Sequence, residues 1–179
     1  MGLDFGAWPA GMVNLVLAAI LTGIATYTDI KSKIIYNKHT VAFFLLGLLS
    51  VAWYKQYYLL LSAGIVILLY LFFYAGGSFM SKIAVNLGMI PPPEGSPPLG
   101  GGDVKLAVVM ALLIGHIPVL LGTVAGALLL VLCQGVKQWR ITGSPSGMAD
   151  VALGRVHALV SFGPYLGLCS LAAAIITGV

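Results

Sequence analysis

The sequence predicts an all-α fold, a polytopic transmembrane helical bundle of about six spans. Of the 179 residues, 60% are hydrophobic and only 8% are charged, and the mean hydropathy is +1.04. A soluble domain usually has about a quarter of its residues charged, so this composition is poorly suited to a water-facing surface. Most of the chain consists of uncharged stretches close to the length that a spanning helix needs, separated by short polar segments.

Each predicted span is an apolar stretch bounded by polar or helix-breaking residues. The first lies between Asp4 and Asp29. The uncharged stretch 106–136 is too long for one span, and GHIP at Gly115 to Pro118 supplies a turn that divides it. Residues 76–102, rich in Gly and Pro, are predicted as a loop with freedom to move. The other five spans are predicted at about 40–54, 56–75, 104–114, 118–134 and 155–179.

The basic residues indicate how the spans are oriented. All of them except Lys55 fall in the first, third and fifth connections, which lie on one side of a six-span bundle. The positive-inside tendency assigns that side to the cytoplasm, so both termini are expected outside. No basic patch with interleaved aromatic residues occurs, and no nucleic-acid partner is predicted. The basic residues on the cytoplasmic side are Lys31, Lys33, Lys38, Lys82, Lys105, Lys137, Arg140 and Arg155.

Two of the five acidic residues occupy positions that favour chemistry. Asp29 follows the first span in TYTDIKSKIIYN, and Asp103 precedes the fourth in LGGGDVKL. Only about 12 residues separate Asp103 from GHIP, a helix of roughly 18 Å, whereas the hydrocarbon core is about 30 Å thick. Either this helix is short or Asp103 lies below the membrane surface. An ionisable group at that depth is a candidate functional residue.

Two carboxyls at matching depth favour an aspartic dyad. Because two close carboxyls do not ionise together, one stays protonated while the other acts as a base on the water that attacks a peptide carbonyl. Gly100 and Gly102 fit this chemistry, since residues without side chains let a substrate backbone approach. The structural alternative is that Asp103 only caps the helix that follows. Which Asp is the acid, and whether the two meet without substrate, is left open.

These residues resemble the type IV prepilin peptidases, GxGD aspartyl proteases of the inner membrane. The resemblance rests on Asp29 in DIKSKIIYN, on Gly100, Gly102 and Asp103 in GGGDVKL, and on SFGPYLGL at 161–168. It extends over nearly the whole chain, 1–179, as a single peptidase domain. It implies that Asp29 and Asp103 cleave type IV pilin-like precursors after a short basic leader, commonly at a glycine, on the cytoplasmic side.

The chain also departs from the family pattern. Tyr36 and Ser161 stand where the family often has proline, and either change could alter loop geometry. The C-x-x-C segment that many members use in methylating the new N-terminus is absent, so cleavage without methylation is expected. Lys105 matches the family motif and could orient the loop, and Asn37 could hydrogen-bond near Asp29. Both also fit ordinary positions, a basic residue at a cytoplasmic helix end and a turn residue.

Two other functions stay open at this point. A protease of the presenilin or signal-peptide-peptidase kind would cut within transmembrane segments, but its late P-A-L motif does not occur in the sequence. A small proton-coupled transporter could use Asp29 and Asp103 as relays, although the two halves show no convincing repeat.

No cofactor is predicted, and no metal site, because the three histidines share no ligand spacing. Gly122 and Gly126, at small-xxx-small spacing, predict close helix packing. The expected partners are pilin-like precursors and membrane lipid. The sequence does not indicate the pathway served or the oligomeric state.

Overall fold

The computed structural model describes residues 10–32, 35–86, 101–143 and 162–178, and these residues form six α-helices and no strand. The all-α prediction is confirmed for this part of the chain. The helices are α1 (Ala10–Ser32), α2 (Asn37–Tyr54), α3 (Tyr58–Asn86), α4 (Gly101–Ile114), α5 (His116–Thr142) and α6 (Gly163–Thr177).

Two of the described helices are long and apolar enough to cross a membrane, over Gly11–Ser32 in α1 and His116–Ile141 in α5. Apolar segments in α3 and α6 are shorter. Large apolar side chains cover the outward faces of the bundle. Exposing so much apolar surface to water is unfavourable, whereas exposing it to lipid hydrocarbon is not. Six separate spans stay a prediction. Side chains that are more than half exposed include Leu49, Leu61, Leu68, Phe72, Val124 and Ile176.

Helix α4 forms the centre of the bundle. It packs against α1, α2, α3, α5 and α6. Leu106, Ala107 and every residue from Val109 to Ile114 are buried, as expected of a helix that is apolar all round. With 14 residues, α4 is about 21 Å long. Asp103 lies in its first turn, so the charged residue stands at one end of the buried core.

Glycines allow close contact between α6 and its neighbours. A Cβ on Gly122 of α5 would overlap the backbone and hydroxyl of Ser170, and a Cβ on Gly126 would lie 3.0 Å from the carbonyl of Tyr165. The predicted role of this small-xxx-small pair in helix packing is confirmed. On the other side of α6, a Cβ on Gly167 would lie 2.6 Å from Cγ2 of Thr22 in α1. Helix α6 therefore fits tightly between α5 and α1.

We expect Gly122→Ala to lower the free energy of unfolding by about 1–3 kcal/mol, because the new methyl group overpacks the contact with Ser170. Thermal unfolding in detergent micelles measures the effect. Gly64→Ala is the matched control, since nothing lies within 4 Å of its Cβ position and alanine is the better helix former. Equal unfolding temperatures for the two variants would contradict the close α5–α6 contact.

Hydrogen bonds join the helices at the end of the bundle away from Asp29 and Asp103. Ser50 donates to Oδ1 of Asn14, and Nδ2 of Asn14 donates to Oε1 of Gln56 at 3.1 Å. Ser62 of α3 and Nδ1 of His116 in α5 share a bond of 2.9 Å. These contacts satisfy polar groups that the bundle buries. They fix α1, α2, α3 and α5 relative to one another at this end.

The loop predicted at 76–102 is shorter than expected. Helix α3 continues through residue 86, so residues 76–86 are helical. Gly76 and Gly77 each weaken a helix by about 1 kcal/mol but do not end it, and no proline follows until Pro91. Residues 87–100 lie outside the described part, and the predicted mobility of this segment stays a prediction.

The turn between α4 and α5 is a single residue. Gly115 has a φ of 85°, in the left-handed region that favours glycine. Pro118 lies in the first turn of α5, where its missing N–H removes no helical hydrogen bond. The prediction of a turn at GHIP is therefore confirmed. Helix α5 runs past its predicted end at 134 as far as Thr142, and Gly143, with a φ of 67°, ends it.

Candidate functional site

Asp29 lies in the last turn of α1 and faces the bundle interior. Its side chain is only 6% exposed, and carboxylates are rarely buried so far without specific surroundings. The next residue, Ile30, is 64% exposed, so the helical period directs Asp29 inward and Ile30 outward. The structure therefore places the first predicted site residue inside the protein.

Asp103 is the third residue of α4 and is half-buried. Because α4 begins at Gly101, Asp103 lies inside the first turn. The alternative that Asp103 is the N-cap of this helix is therefore wrong. A carboxylate in the first turn is favoured by the helix dipole. Helices α1 and α4 are in contact, and both also contact α6.

Gly163, the first residue of α6, lies between the two carboxyls. A Cβ at this position would be 3.1 Å from Oδ2 of Asp29 and 3.5 Å from Oδ1 of Asp103. The two oxygens therefore border the same small space and cannot be farther apart than the sum of these distances. Gly163 itself is buried, so any side chain at this position would enter that space.

Ile35 forms a further wall of this space. It lies in the connection between α1 and α2 and is only 8% exposed. Its Cδ1 is 3.0 Å from the Cβ position of Gly163, and its Cβ is 3.2 Å from that of Gly102. The room that Gly102 leaves is thus filled by Ile35. The expectation that Gly102 makes room for a substrate stays a prediction, and Gly100 lies outside the described residues.

Lys105 and Asn37 are brought together by the fold. Nζ of Lys105 donates a hydrogen bond of 2.7 Å to Oδ1 of Asn37. Asn37 is the first residue of α2, just after the connection that follows Asp29, and Lys105 follows Asp103 by two residues. This exposed bond therefore links the two segments that carry the aspartates.

Tyr70 of α3 forms a polar contact with α5 inside the bundle. Thr123 of α5 donates its hydroxyl hydrogen to the carbonyl of Val119 at 2.7 Å, so the 2.8 Å bond between Tyr70 and Thr123 has Tyr70 as its donor. This bond joins α3 to α5.

Sequence reasoning missed Gly163 and Ile35 as site residues, and it did not identify the polar contact of Tyr70. The segment SFGPYLGL was noted only for its resemblance, and the predicted span 155–179 is described as helix only from Gly163 onward. A glycine followed by proline at a helix start signals the helix boundary but not a neighbouring carboxyl. Tyr70 lies in an apolar stretch and Ile35 in the basic connection KSKIIYNK, and neither setting indicates a neighbouring carboxyl.

Two carboxyls that border one space can share a proton, because the second ionisation is opposed by the first charge. One can then act as a general acid and the other as a general base on a water molecule between them. In the described part of the chain, no group of three or more His, Cys, Asp or Glu side chains is placed to hold a metal ion. Acid–base hydrolysis is the chemistry that this arrangement suits.

The chain was compared with models of known protein families. The type IV leader peptidase family matches residues 15–136, well over half of the sequence. The match includes Asp29, Asn37, Asp103 and Lys105, and ends before Gly163. Comparisons with curated proteins and with solved structures found no match. The chain therefore belongs to the type IV leader peptidase family, a family of proteases.

Proposed function

We propose that this protein is an aspartic endopeptidase that removes the short basic leader from type IV pilin-like precursors at the cytoplasmic face of the inner membrane. The observation that carries the proposal is the convergence of Asp29 and Asp103 on the space beside Gly163. The family match supports a leader peptidase over the proton-coupled transporter and over a presenilin-like protease.

In the proposed reaction the two aspartates work on one water molecule. One carboxylate takes a proton from the water as the water oxygen attacks the peptide carbonyl carbon, while the protonated carboxyl donates its proton to the carbonyl oxygen. The C–N bond then breaks as the proton taken from water passes to the leaving nitrogen, and a hydroxyl of the tetrahedral intermediate returns a proton to the other carboxylate as the C=O bond re-forms. The products are a leader that ends in a carboxyl group and a mature chain with a free amine.

The roles of acid and base belong to the pair, because close carboxyls titrate together. Asp29 is buried and Asp103 is half-buried. The hydrogen bond between Lys105 and Asn37 supports a positioning role, since it holds the start of α4 against the start of α2. Within the proposal these two residues shape the site and do not react.

The proposed topology has six spans, both termini outside and the aspartates on the cytoplasmic side, in a single peptidase domain over 1–179. The supporting observation is charge. Lys31 and Lys105 lie at the end of the bundle that carries Asp29 and Asp103, whereas Lys55 follows α2 at the opposite end. Basic residues favour the cytoplasmic side. The leader, itself basic and cytoplasmic, would then meet the aspartates directly.

Oriented membrane vesicles test the reaction and its sidedness together. A peptide with a basic leader and the first residues of a mature pilin-like chain is added to inverted and to right-side-out inner-membrane vesicles that contain the protein. We expect cleavage at one bond after the leader by inverted vesicles, and by right-side-out vesicles only after detergent opens them. Mass spectrometry identifies the bond that is cleaved.

Each result of this experiment has a distinct meaning. Vesicles from the same host without the protein are the control for a resident peptidase. Absence of cleavage in both orientations and in detergent would overturn the proposed function. Cleavage by intact right-side-out vesicles alone would keep the peptidase and overturn the cytoplasmic location of its site.

A further inference from the structure

The side chain of Ile35 fills gaps left by two glycines on different helices. Its Cβ, Cγ1 and Cδ1 lie 3.2, 3.5 and 3.6 Å from the Cβ position of Gly102, and Cδ1 lies 3.0 Å from that of Gly163. Ile35 is only 8% exposed. β-branched side chains have few χ1 states, and the packing of Ile35 against both glycines leaves its terminal methyl little room to move.

That methyl group lies beside both carboxyls. Cδ1 of Ile35, Oδ2 of Asp29 and Oδ1 of Asp103 are all within 3.5 Å of one point, the Cβ position of Gly163. A peptide carbonyl that is to be hydrolysed must come within hydrogen-bonding reach of the catalytic carboxyls, about 2.6–3.2 Å. A substrate backbone in that position meets the Ile35 methyl.

We propose that Ile35 is a specificity-determining residue, which limits the size of the substrate side chain next to the cleaved bond. This inference rests on the proposed peptidase function. Gly102 and Gly163 have no side chain that could shrink, and the two carboxyls are needed for the reaction. Among the described residues around this space, Ile35 is therefore the one whose side chain a substitution can shorten while the reacting groups stay intact.

Shortening Ile35 should relax the limit in steps. Four peptides carry glycine, alanine, serine or valine at one of the two residues that flank the cleaved bond, and a second set varies the other residue. At one of these positions we expect the kcat/KM of the wild-type protein to fall as the side chain becomes larger. Ile35→Val and then Ile35→Ala should raise kcat/KM for the larger residue relative to glycine at that same position. About tenfold for the first added methyl group is expected, the usual discrimination per methylene in an apolar pocket.

A ratio of kcat/KM values separates specificity from stability. Ile114→Ala is the matched control, because Ile114 is 1% exposed at the far end of α4. Its truncation should lower stability, by the usual cost of a buried cavity, and leave the substrate ratio unchanged. A role of Ile35 in packing alone would lower kcat/KM equally for all substrates, as Ile114→Ala is expected to do.

The outcomes distinguish this inference from the function on which it rests. If wild-type protein does not cleave the unaltered peptide, the proposed function fails. If it cleaves, but neither Ile35 variant changes the ratio at either flanking residue, the peptidase stands and the assignment of Ile35 is overturned. An equal change in the ratio for Ile114→Ala would also overturn it.

Discussion

Asp29→Asn and Asp103→Asn are each expected to lower leader cleavage by about 10³-fold, within the range attributed to general acid–base groups. Asparagine has nearly the shape of aspartate, but its amide cannot take a proton from water or deliver one to the carbonyl oxygen. The initial rate of cleavage in detergent-opened membranes, with the peptide described above, measures the loss.

Combining the two substitutions tests whether the aspartates act as one unit. Groups that act together in catalysis are strongly non-additive, so the double variant should be no slower than the slower single variant. Stability should stay equal or rise in the variants, because a buried carboxyl close to another carboxyl is unfavourable when charged. Thermal unfolding in detergent provides this second measurement.

The control for the aspartate variants is Asp150→Asn, which changes the same residue type in the fifth predicted connection. It should cleave at the wild-type rate. Retention of a tenth or more of the wild-type activity by Asp29→Asn or by Asp103→Asn would refute the dyad. A loss of activity accompanied by loss of membrane insertion would be assigned to folding, and Asp→Glu variants, which keep an acid, would then decide the matter by their pH–rate profiles.

Gly163→Ala is the second large effect, an expected loss of about 10- to 100-fold in kcat. The added Cβ would lie 3.1 Å from Oδ2 of Asp29 and 3.0 Å from Cδ1 of Ile35, so the carboxyl and the methyl must shift by a few tenths of an ångström. A misplacement of about 1 Å at a reacting group can cost 10²-fold. Because Pro164 disfavours the helical conformation of a preceding residue that carries a Cβ, a modest loss of stability is also expected, smaller in proportion than the loss in kcat.

Two other glycines serve as controls for Gly163→Ala. Gly23 lies in α1, the helix of Asp29, and nothing is within 4 Å of its Cβ position, so Gly23→Ala should leave kcat unchanged. Gly167 is one turn beyond Gly163 in α6 and packs on Thr22. Gly167→Ala should therefore lower stability more than kcat. If Gly163→Ala and Gly167→Ala lower kcat and stability in the same proportion, Gly163 serves helix packing alone.

Most of the helices follow from local sequence properties. Apolar stretches between charges predicted a helix in each region where the structure has one, and Gly115 was identified as a turn because its conformation needs no distant partner. The helix ends were less accurate. Helix α3 extends to Asn86 and α5 to Thr142, since glycines and polar residues lower helix propensity by amounts that packing and the continuing hydrogen-bond ladder outweigh.

The candidate site was only half accessible to sequence reasoning. Asp29 and Asp103 were identified because carboxylates at the ends of apolar segments are costly and therefore conspicuous. Lys105 and Asn37 were noted separately, yet their hydrogen bond depends on α2 and α4 packing side by side. Gly163 has no side chain that could indicate a role, and only its position beside the two carboxyls marks it as part of the site.

By itself, the sequence determined the helical class, the apolar character and the two carboxyls, because hydropathy, charge and turn preference are properties of neighbouring residues along the chain. The tertiary structure alone decided that Asp29, Ile35, Asp103 and Gly163 surround one space. These residues belong to separate segments, and their approach depends on how closely α1, α4 and α6 pack. That distance is set by the shapes of all the side chains between the helices, which no local pattern specifies.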